Sequence, residues 1–174
     1  EANEIYKKLL GKENQDYINS INNLGILYKI LGDYEKAEPY FLEAIILRKK
    51  LNGDEHSEYA SSLNNLANFY YNMGNYEKAE PIYQQAIAIR KKIFGKDNIN
   101  YATSLNGLAC LLRERGEYRK ADSLFQETKI IQAKVQGVDH PEYFRLLLNI
   151  SELNMARSNF ELAKNELDEA KIIS

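Results

Sequence analysis

Apolar residues recur along the chain at steps of three and four, which is the spacing of one face of a helix. The first such set comprises Tyr17, Ile21, Leu24, Tyr28 and Leu31. Gly32 follows it, and glycine readily adopts the left-handed conformation that ends a helix. The pattern therefore predicts a helical hairpin that ends at Gly53. Its second helix is expected to turn these residues toward the core: Tyr34, Ala37, Phe41, Ala44, Ile45 and Leu51.

The hairpin pattern returns with a period of 42 residues. The period is carried in one register by Tyr17, Tyr59, Tyr101 and Tyr143, by Gly32, Gly74, Gly116 and Ser158, and by Ala37, Ala79, Ala121 and Ala163. We therefore expect a single all-α repeat domain. Its predicted parts are the second helix of a partial repeat at 1–14, repeats at 15–56, 57–98 and 99–140, and an incomplete repeat at 141–174.

Small and helix-breaking residues refine this prediction. Ala37 and Ala44 are expected where two helices approach closely, because a larger side chain would push the helices apart. Pro39 and Pro81 fall inside second helices, where each removes one backbone hydrogen bond. We expect both prolines on an exposed face, with a mild bend.

Polar residues in the loops are candidates for helix capping. Asp33, Asn75 and Asn159 directly precede second helices, where a side-chain oxygen can accept a hydrogen bond from the first turn. His56 and His140 occupy equivalent loop positions before first helices. We interpret both histidines as capping residues rather than as metal ligands.

Composition narrows the range of functions. The chain has 174 residues, 44% of them apolar, and a net charge of −2. Near-neutral charge argues against duplex DNA or an anionic membrane as the partner. The single cysteine, Cys110, permits no internal disulfide, and we expect a cytoplasmic protein. Two histidines and one cysteine are too few for a metal site, and no phosphate-binding loop or acid–base pair is visible. We expect no metal, no cofactor and no enzymatic activity.

The repeat resembles a known family. The pattern Leu24-Gly25-x-x-Tyr28, Gly32-x-Tyr34, Ala37, Phe41, Ala44 resembles the tetratricopeptide repeat. The 42-residue spacing and the phrase Tyr76-Glu77-Lys78-Ala79-Glu80-Pro81 are similar to the long repeats of kinesin light chains and of many bacterial signalling proteins. The resemblance implies an all-α, right-handed superhelical solenoid. It also implies a concave, ligand-binding face lined by the first helix of each repeat.

By this resemblance, a partner would contact the side of each first helix that lies opposite its apolar stripe. The candidate binding residues are Asn19, Asn22, Lys29, Ser61, Asn64, Asn68, Tyr71, Thr103, Asn106, Arg113 and Arg145. The arginines and Lys29 would offer charge to acidic groups, and Tyr71 would offer flat apolar area. We set Cys110, which shares this side, aside as an inert thiol, because no basic cluster is visible to lower its pKa.

Asn22, Asn64 and Asn106 form an invariant series within this chain. A carboxamide can both donate and accept hydrogen bonds, so these residues could pair with the main chain of an extended peptide. The alternative is that the series bonds neighbouring helices and stabilises the stack. The sequence leaves both readings open.

Three functional hypotheses follow. The first is a non-catalytic scaffold that binds a peptide or partner protein in the concave groove. The second is a regulatory or sensor arm of a larger signalling protein, for example one fused to a protease-like or nucleotide-switch domain. The third is an RNA-binding helical repeat, which the neutral charge and the tyrosine and asparagine pattern disfavour.

The two ends carry one more expectation. Ala2 to Gly11 align with Ala44 to Gly53, and the last helix contains Phe160, Leu162 and Ile172. Terminal repeats of a complete solenoid usually carry a polar outer face. We therefore expect the native polypeptide to continue past both ends, and we expect this chain alone to associate with itself or to fray over residues 159–174.

Overall fold

A computed structural model describes residues 2–173 of the chain. Glu1 and Ser174, the outer bounds of the first and last predicted segments, lie outside the described residues. Within 2–173 the chain forms nine α-helices and no strand. The helices are α1 (Ala2–Leu10), α2 (Gln15–Ile30), α3 (Tyr34–Asn52), α4 (Ser57–Asn72), α5 (Tyr76–Phe94), α6 (Ile99–Glu114), α7 (Tyr118–Val135), α8 (Pro141–Ala156) and α9 (Phe160–Ile173). The predicted all-helical hairpin architecture is confirmed.

The chain divides into two compact units, Glu1–Ile89 and Arg90–Ser174. In the first unit α1 packs on α2, α2 on α3 and α3 on α4. Its core includes a cluster of Tyr17, Ile18, Ile21, Ala44 and Leu47. In the second unit α6 packs on α7, α7 on α8 and α8 on α9. Its core includes Tyr143, Leu147 and Ala170.

The turn inside each hairpin has the predicted left-handed residue. Gly32, Gly74 and Gly116 have φ values of 75°, 72° and 78°. In the first turn the Asp33 N–H donates to the Tyr28 carbonyl at 2.9 Å, which closes the end of α2. Ser158 takes the fourth position with φ 58°, so the turn keeps its shape without glycine.

Most of the predicted caps are confirmed. The Asp33 carboxylate accepts from the Lys36 N–H at 3.3 Å, and the Asn75 amide oxygen accepts from the first turn of α5. His56 and His140 each accept a backbone N–H through Nδ1 at 3.2 Å. The Nδ1 atoms of these two side chains therefore cap the start of α4 and of α8. The side-chain cap expected from Asn159 stays a prediction.

The predicted small-residue packing is present in the first hairpin. Ala37, Ala44 and Phe41 are at most 1% exposed. A Cβ atom added to Gly25 would lie 3.1 Å from the Phe41 ring, so glycine lets this ring approach α2. Pro39, inside α3, is exposed as expected, and Pro81 is exposed inside α5.

The predicted burial of three core residues is wrong. Leu31 caps the C-terminal end of α2 and is 68% exposed, and Met73, one period later, is 44% exposed, so this position faces solvent in both repeats. Tyr34, the first residue of α3, is 36% exposed. Leu51 is 42% exposed, and Ile93 and Val135, one and two periods later, are 39% and 45% exposed. Apolar residues in the last turn of the second helix therefore lie outside the packed part of the hairpin.

Candidate functional site

The predicted binding residues lie on the first helices of the hairpins and form one group in each unit. The first-unit face is defined by Asn19, Asn22, Lys29, Ser61, Asn64, Asn68 and Tyr71 on α2 and α4. The second-unit face is defined by Thr103, Asn106, Arg113 and Arg145 on α6 and α8. All of these side chains are exposed or half-buried except Asn64, which is 6% exposed.

Two members of the asparagine series bond the next first helix along the chain. Asn65 donates through Nδ2 to Asn22 Oδ1 at 3.1 Å, and Asn149 donates to Asn106 Oδ1 at 3.2 Å. These bonds link α2 to α4 and α6 to α8. The stack-stabilising role left open by the sequence is therefore present in both units.

Other amides of the first-unit face are also held through their oxygen. Tyr83, from α5, donates its hydroxyl to Asn68 Oδ1 at 2.5 Å. Arg48, from α3, donates to Asn19 Oδ1. Asn19, Asn22 and Asn68 thus use the acceptor half of the carboxamide inside the chain. Their NH2 groups bond no acceptor in the described part of the protein.

Two buried arginines, which sequence reasoning missed, lie beside these faces. Arg48 is 3% exposed, and its Nη1 lies 2.9 Å from Glu58 Oε2. Burial lowers the pKa of Arg48, while the negative charge of Glu58 acts in the opposite direction. Because it also reaches Asn19, Arg48 ties α3 to both α2 and α4.

Arg90 is the equivalent residue one period later, in the second unit, and its bonds reach α6. It donates to the Asn100 carbonyl at 2.7 Å and to Ser104 Oγ at 2.6 Å. Burial lowers its pKa to about 10. The 42-residue spacing of the two arginines was the available signal, but arginine is expected at the surface unless it is paired.

The cations of the second-unit face already have partners within the chain. Arg113 binds Glu152 and lies 2.8 Å from Glu114 Oε1. Arg145 binds Glu142 one turn earlier. An acidic ligand would have to displace these carboxylates, so this face presents less free positive charge than the sequence indicated. Lys29, on the first-unit face, has no ion pair among the described residues.

Cys110 lies half-buried beside Arg113 on the second-unit face. Burial raises the pKa of its thiol to about 11, and the nearby positive charge of Arg113 only partly opposes this. The thiol is therefore protonated at neutral pH, in agreement with its interpretation as unreactive.

A metal-binding cluster and a helix that could span a membrane are both absent from the residues that the structure describes. Within 2–173 no cluster of three or more histidine, cysteine, aspartate or glutamate side chains is placed to hold a metal ion. No described helix combines the length and the apolarity that crossing a bilayer requires.

Comparison with known proteins identifies the repeat. A sequence model of the family described as tetratricopeptide repeat matches residues 16–92 and 58–129. A search of curated proteins gives no match. BtubC (BKLC) from P. vanneervenii, a solved structure, is similar with a TM-score of 0.82 and 20% identity, covering 97% of this chain and 68% of that one.

A second solved structure is also similar over nearly the whole chain. It contains the nearly identical TPR-like repeats of a putative kinesin light chain from Podospora anserina. The TM-score is 0.78 at 22% identity, covering 98% of this chain and 81% of that one. The predicted resemblance is confirmed, and the chain belongs to the tetratricopeptide repeat family.

Proposed function

We propose that the chain is a non-catalytic binding module that takes an extended peptide segment of a partner protein on its first-helix faces, in the cytoplasm. Tetratricopeptide repeats generally mediate protein–protein interaction and are typically non-catalytic scaffolds. The finer proposal, that the ligand is an extended peptide, rests on the chemistry of the faces.

One observation carries the proposal. Four face asparagines accept a hydrogen bond from within the chain through Oδ1: Asn19, Asn22, Asn68 and Asn106. Each keeps an NH2 group with no acceptor in the described part of the chain. In the first unit, donors on both α2 and α4 favour a ligand that offers several acceptors, and the carbonyl groups of an extended main chain supply them.

Aliphatic residues beside the first-unit face indicate which side chains the peptide carries, and one of them, Ile26, has the repeat position of Asn68. Ile30 is 72% exposed at the end of α2, and Ile26 is half-buried one turn earlier. An aliphatic ligand side chain would remove this apolar surface from water. Because Arg113 and Arg145 are paired, the proposal does not require an acidic peptide.

The test separates the two roles of the asparagine series by changing either end of one hydrogen bond. Peptides are first selected from a random dodecapeptide display library on the unmodified chain. Asn22→Ala removes the internal bond and the face donor, whereas Asn65→Ala removes the internal bond and keeps the face donor. We expect Asn22→Ala to weaken peptide binding by about 0.5–1.5 kcal/mol more than Asn65→Ala does.

Stability measurements complete the design. Both variants should lose a similar free energy of unfolding in urea, because both break the same bond. If the two variants also bind the selected peptides equally well, Asn22 serves the stack alone and the proposed role of the face amides is wrong. A filter-binding assay with polynucleotides tests the RNA alternative.

A further inference from the structure

One buried position of the repeat differs from its equivalents by a single hydroxyl. Phe41 and Phe125 are 1% and 0% exposed, and Tyr83 takes the same position in the repeat between them at 1% exposed. Phenylalanine therefore satisfies the packing at this position. A hydroxyl placed in the same interior costs free energy unless it is hydrogen-bonded, so its presence at Tyr83 calls for a reason other than packing.

The residue that accepts the hydrogen bond of the Tyr83 hydroxyl also differs from its equivalents in the other repeats. Tyr83 Oη donates to Asn68 Oδ1 at 2.5 Å. The positions equivalent to Asn68 hold Ile26, Cys110 and Glu152, none of which is an amide. The tyrosine and the asparagine therefore depart from the repeat pattern together and bond each other.

The bond fixes which half of the carboxamide faces outward. With Oδ1 held by a buried hydroxyl, the NH2 group of Asn68 is left on the first-unit face, on the same helix as Asn64 and Tyr71. A pre-oriented donor loses less conformational freedom when it binds an acceptor.

We propose that Tyr83 is a positioning residue that locks the Asn68 carboxamide so that its NH2 group donates to a main-chain carbonyl of the bound peptide. This inference rests on the proposed function, and it adds a residue that lies beneath the face. The simpler alternative is that Asn68 only satisfies the Tyr83 hydroxyl and takes no part in binding.

The first experiment measures the positioning without any ligand. The side-chain NH2 signals of Asn68 are assigned in a ¹⁵N-labelled chain by their loss in Asn68→Ala. In the unmodified chain they should show an ordered side chain by heteronuclear relaxation. In Tyr83→Phe they should shift and gain mobility. Unchanged signals in Tyr83→Phe would overturn the inference.

The second experiment uses peptides selected from the same dodecapeptide library on the unmodified chain. Tyr83→Phe should weaken their binding by about 3- to 10-fold, the effect of one hydrogen bond. In an Asn68→Ala background the same change should have no further effect, because Tyr83 acts through Asn68. The matched control is Tyr59→Phe, which removes a hydroxyl bonded by Gln85 in the same unit and should leave affinity unchanged.

The outcomes separate this inference from the proposed function. If peptides bind but Tyr83→Phe and Asn68→Ala leave affinity unchanged, the inference is wrong and the proposed function stands. If Tyr83→Phe lowers affinity equally in the unmodified chain and in Asn68→Ala, then Tyr83 acts through packing and the inference is also wrong. Failure to select any peptide contradicts the proposed function and the ligand half of the inference. The relaxation measurement then decides the positioning half.

Discussion

Leu27 on α2 and Phe69 on α4 occupy the same position in successive repeats, yet Leu27 is 49% exposed and Phe69 is 0% exposed. In the two following repeats the position holds Leu111 and Leu153, both 0% exposed. The difference therefore does not come from the size of the side chain.

The helix that precedes each of the two residues explains the difference. Tyr34 and Phe41, in the first half of α3, have ring centroids 6.0 and 5.3 Å from that of Phe69. The helix before Leu27 is α1, whose nine residues correspond in register to the second half of α3. No counterpart of Tyr34 or Phe41 precedes Leu27 in the described residues. The burial of Phe69 is thus supplied by the preceding repeat.

Other exposed apolar residues do not depend on a neighbour in this way. Ile172 on α9 is 87% exposed, and Ile46 and Ile130 at the same repeat position are 67% and 69% exposed. Exposure of Ile172 is therefore a property of the repeat. Phe160, also on α9, is 69% exposed against 36% for Tyr34 at the same repeat position, which agrees with the expectation of an uncovered apolar surface on the last helix.

The largest expected effect on the free energy of unfolding is at Phe69, the buried residue of the pair. Phe69→Ala should lower the free energy of unfolding by about 3–5 kcal/mol, because it leaves a cavity among the rings of α3 and α4. Phe69→Leu is the control, since leucine fills this position in later repeats, and it should cost less. Urea denaturation measures both. A loss below about 1 kcal/mol for Phe69→Ala would contradict the full burial of the Phe69 ring.

The next prediction concerns a position that its own hairpin covers. Ala37 and Ala79 are 0% exposed, and Ala163 on α9 is still 3% exposed with α8 packed beside it. Ala37→Leu and Ala79→Leu should each cost about 1–3 kcal/mol through overpacking. Similar losses in thermal melts would show that this position, unlike that of Leu27, does not depend on the preceding repeat. Unchanged melting would contradict the packing assignment.

A smaller effect is expected at the uncovered member of the pair. Leu27→Ala should cost about 1 kcal/mol or less, because half of the side chain is already in water. A loss as large as that of Phe69→Ala would mean that Leu27 is buried in solution. Sedimentation equilibrium at several concentrations would then show whether a second copy of the chain covers it, as the expected self-association requires.

The smallest expected difference is dynamic. Backbone amides near Leu27, in the last turns of α2, should exchange with solvent faster than those near Phe69 in α4. The reason is that fewer apolar contacts oppose local opening around Leu27. Hydrogen exchange followed by NMR measures both segments in one sample. Equal protection would mean that α1 covers this end of α2 better than the exposure of Leu27 indicates.

The repeat period made most of the fold predictable. The 42-residue register located the hairpins, Gly32 and its equivalents marked the turns, and His56 and His140 were recognised as caps. These features depend on local chemistry that is visible in a few neighbouring residues. The burial of Leu31 and Leu51 was predicted wrongly, because the helical spacing of apolar residues extends past the last packed turn of the helix.

The binding faces were only partly predictable, because their contacts join distant residues. Glu152, the partner of Arg113, lies 39 positions later in the chain. Asn65 and Asn22 are 43 positions apart, one more than the period, so a comparison of equivalent positions alone does not pair them. Such partners depend on how successive helices are offset, which the pattern of apolar residues does not specify.

The rate at which the half-buried thiol of Cys110 reacts with a reagent reports on how often the second unit opens. Because burial raises the pKa of the thiol to about 11, little thiolate is present at pH 7, and only the thiolate attacks a disulfide reagent. Labelling of the single cysteine should therefore be slow in the folded chain, and it should become faster when α6 and its neighbours open. A partner seated on the second-unit face would slow that labelling further. The chain thus carries its own chemical reporter of occupancy, with no added label.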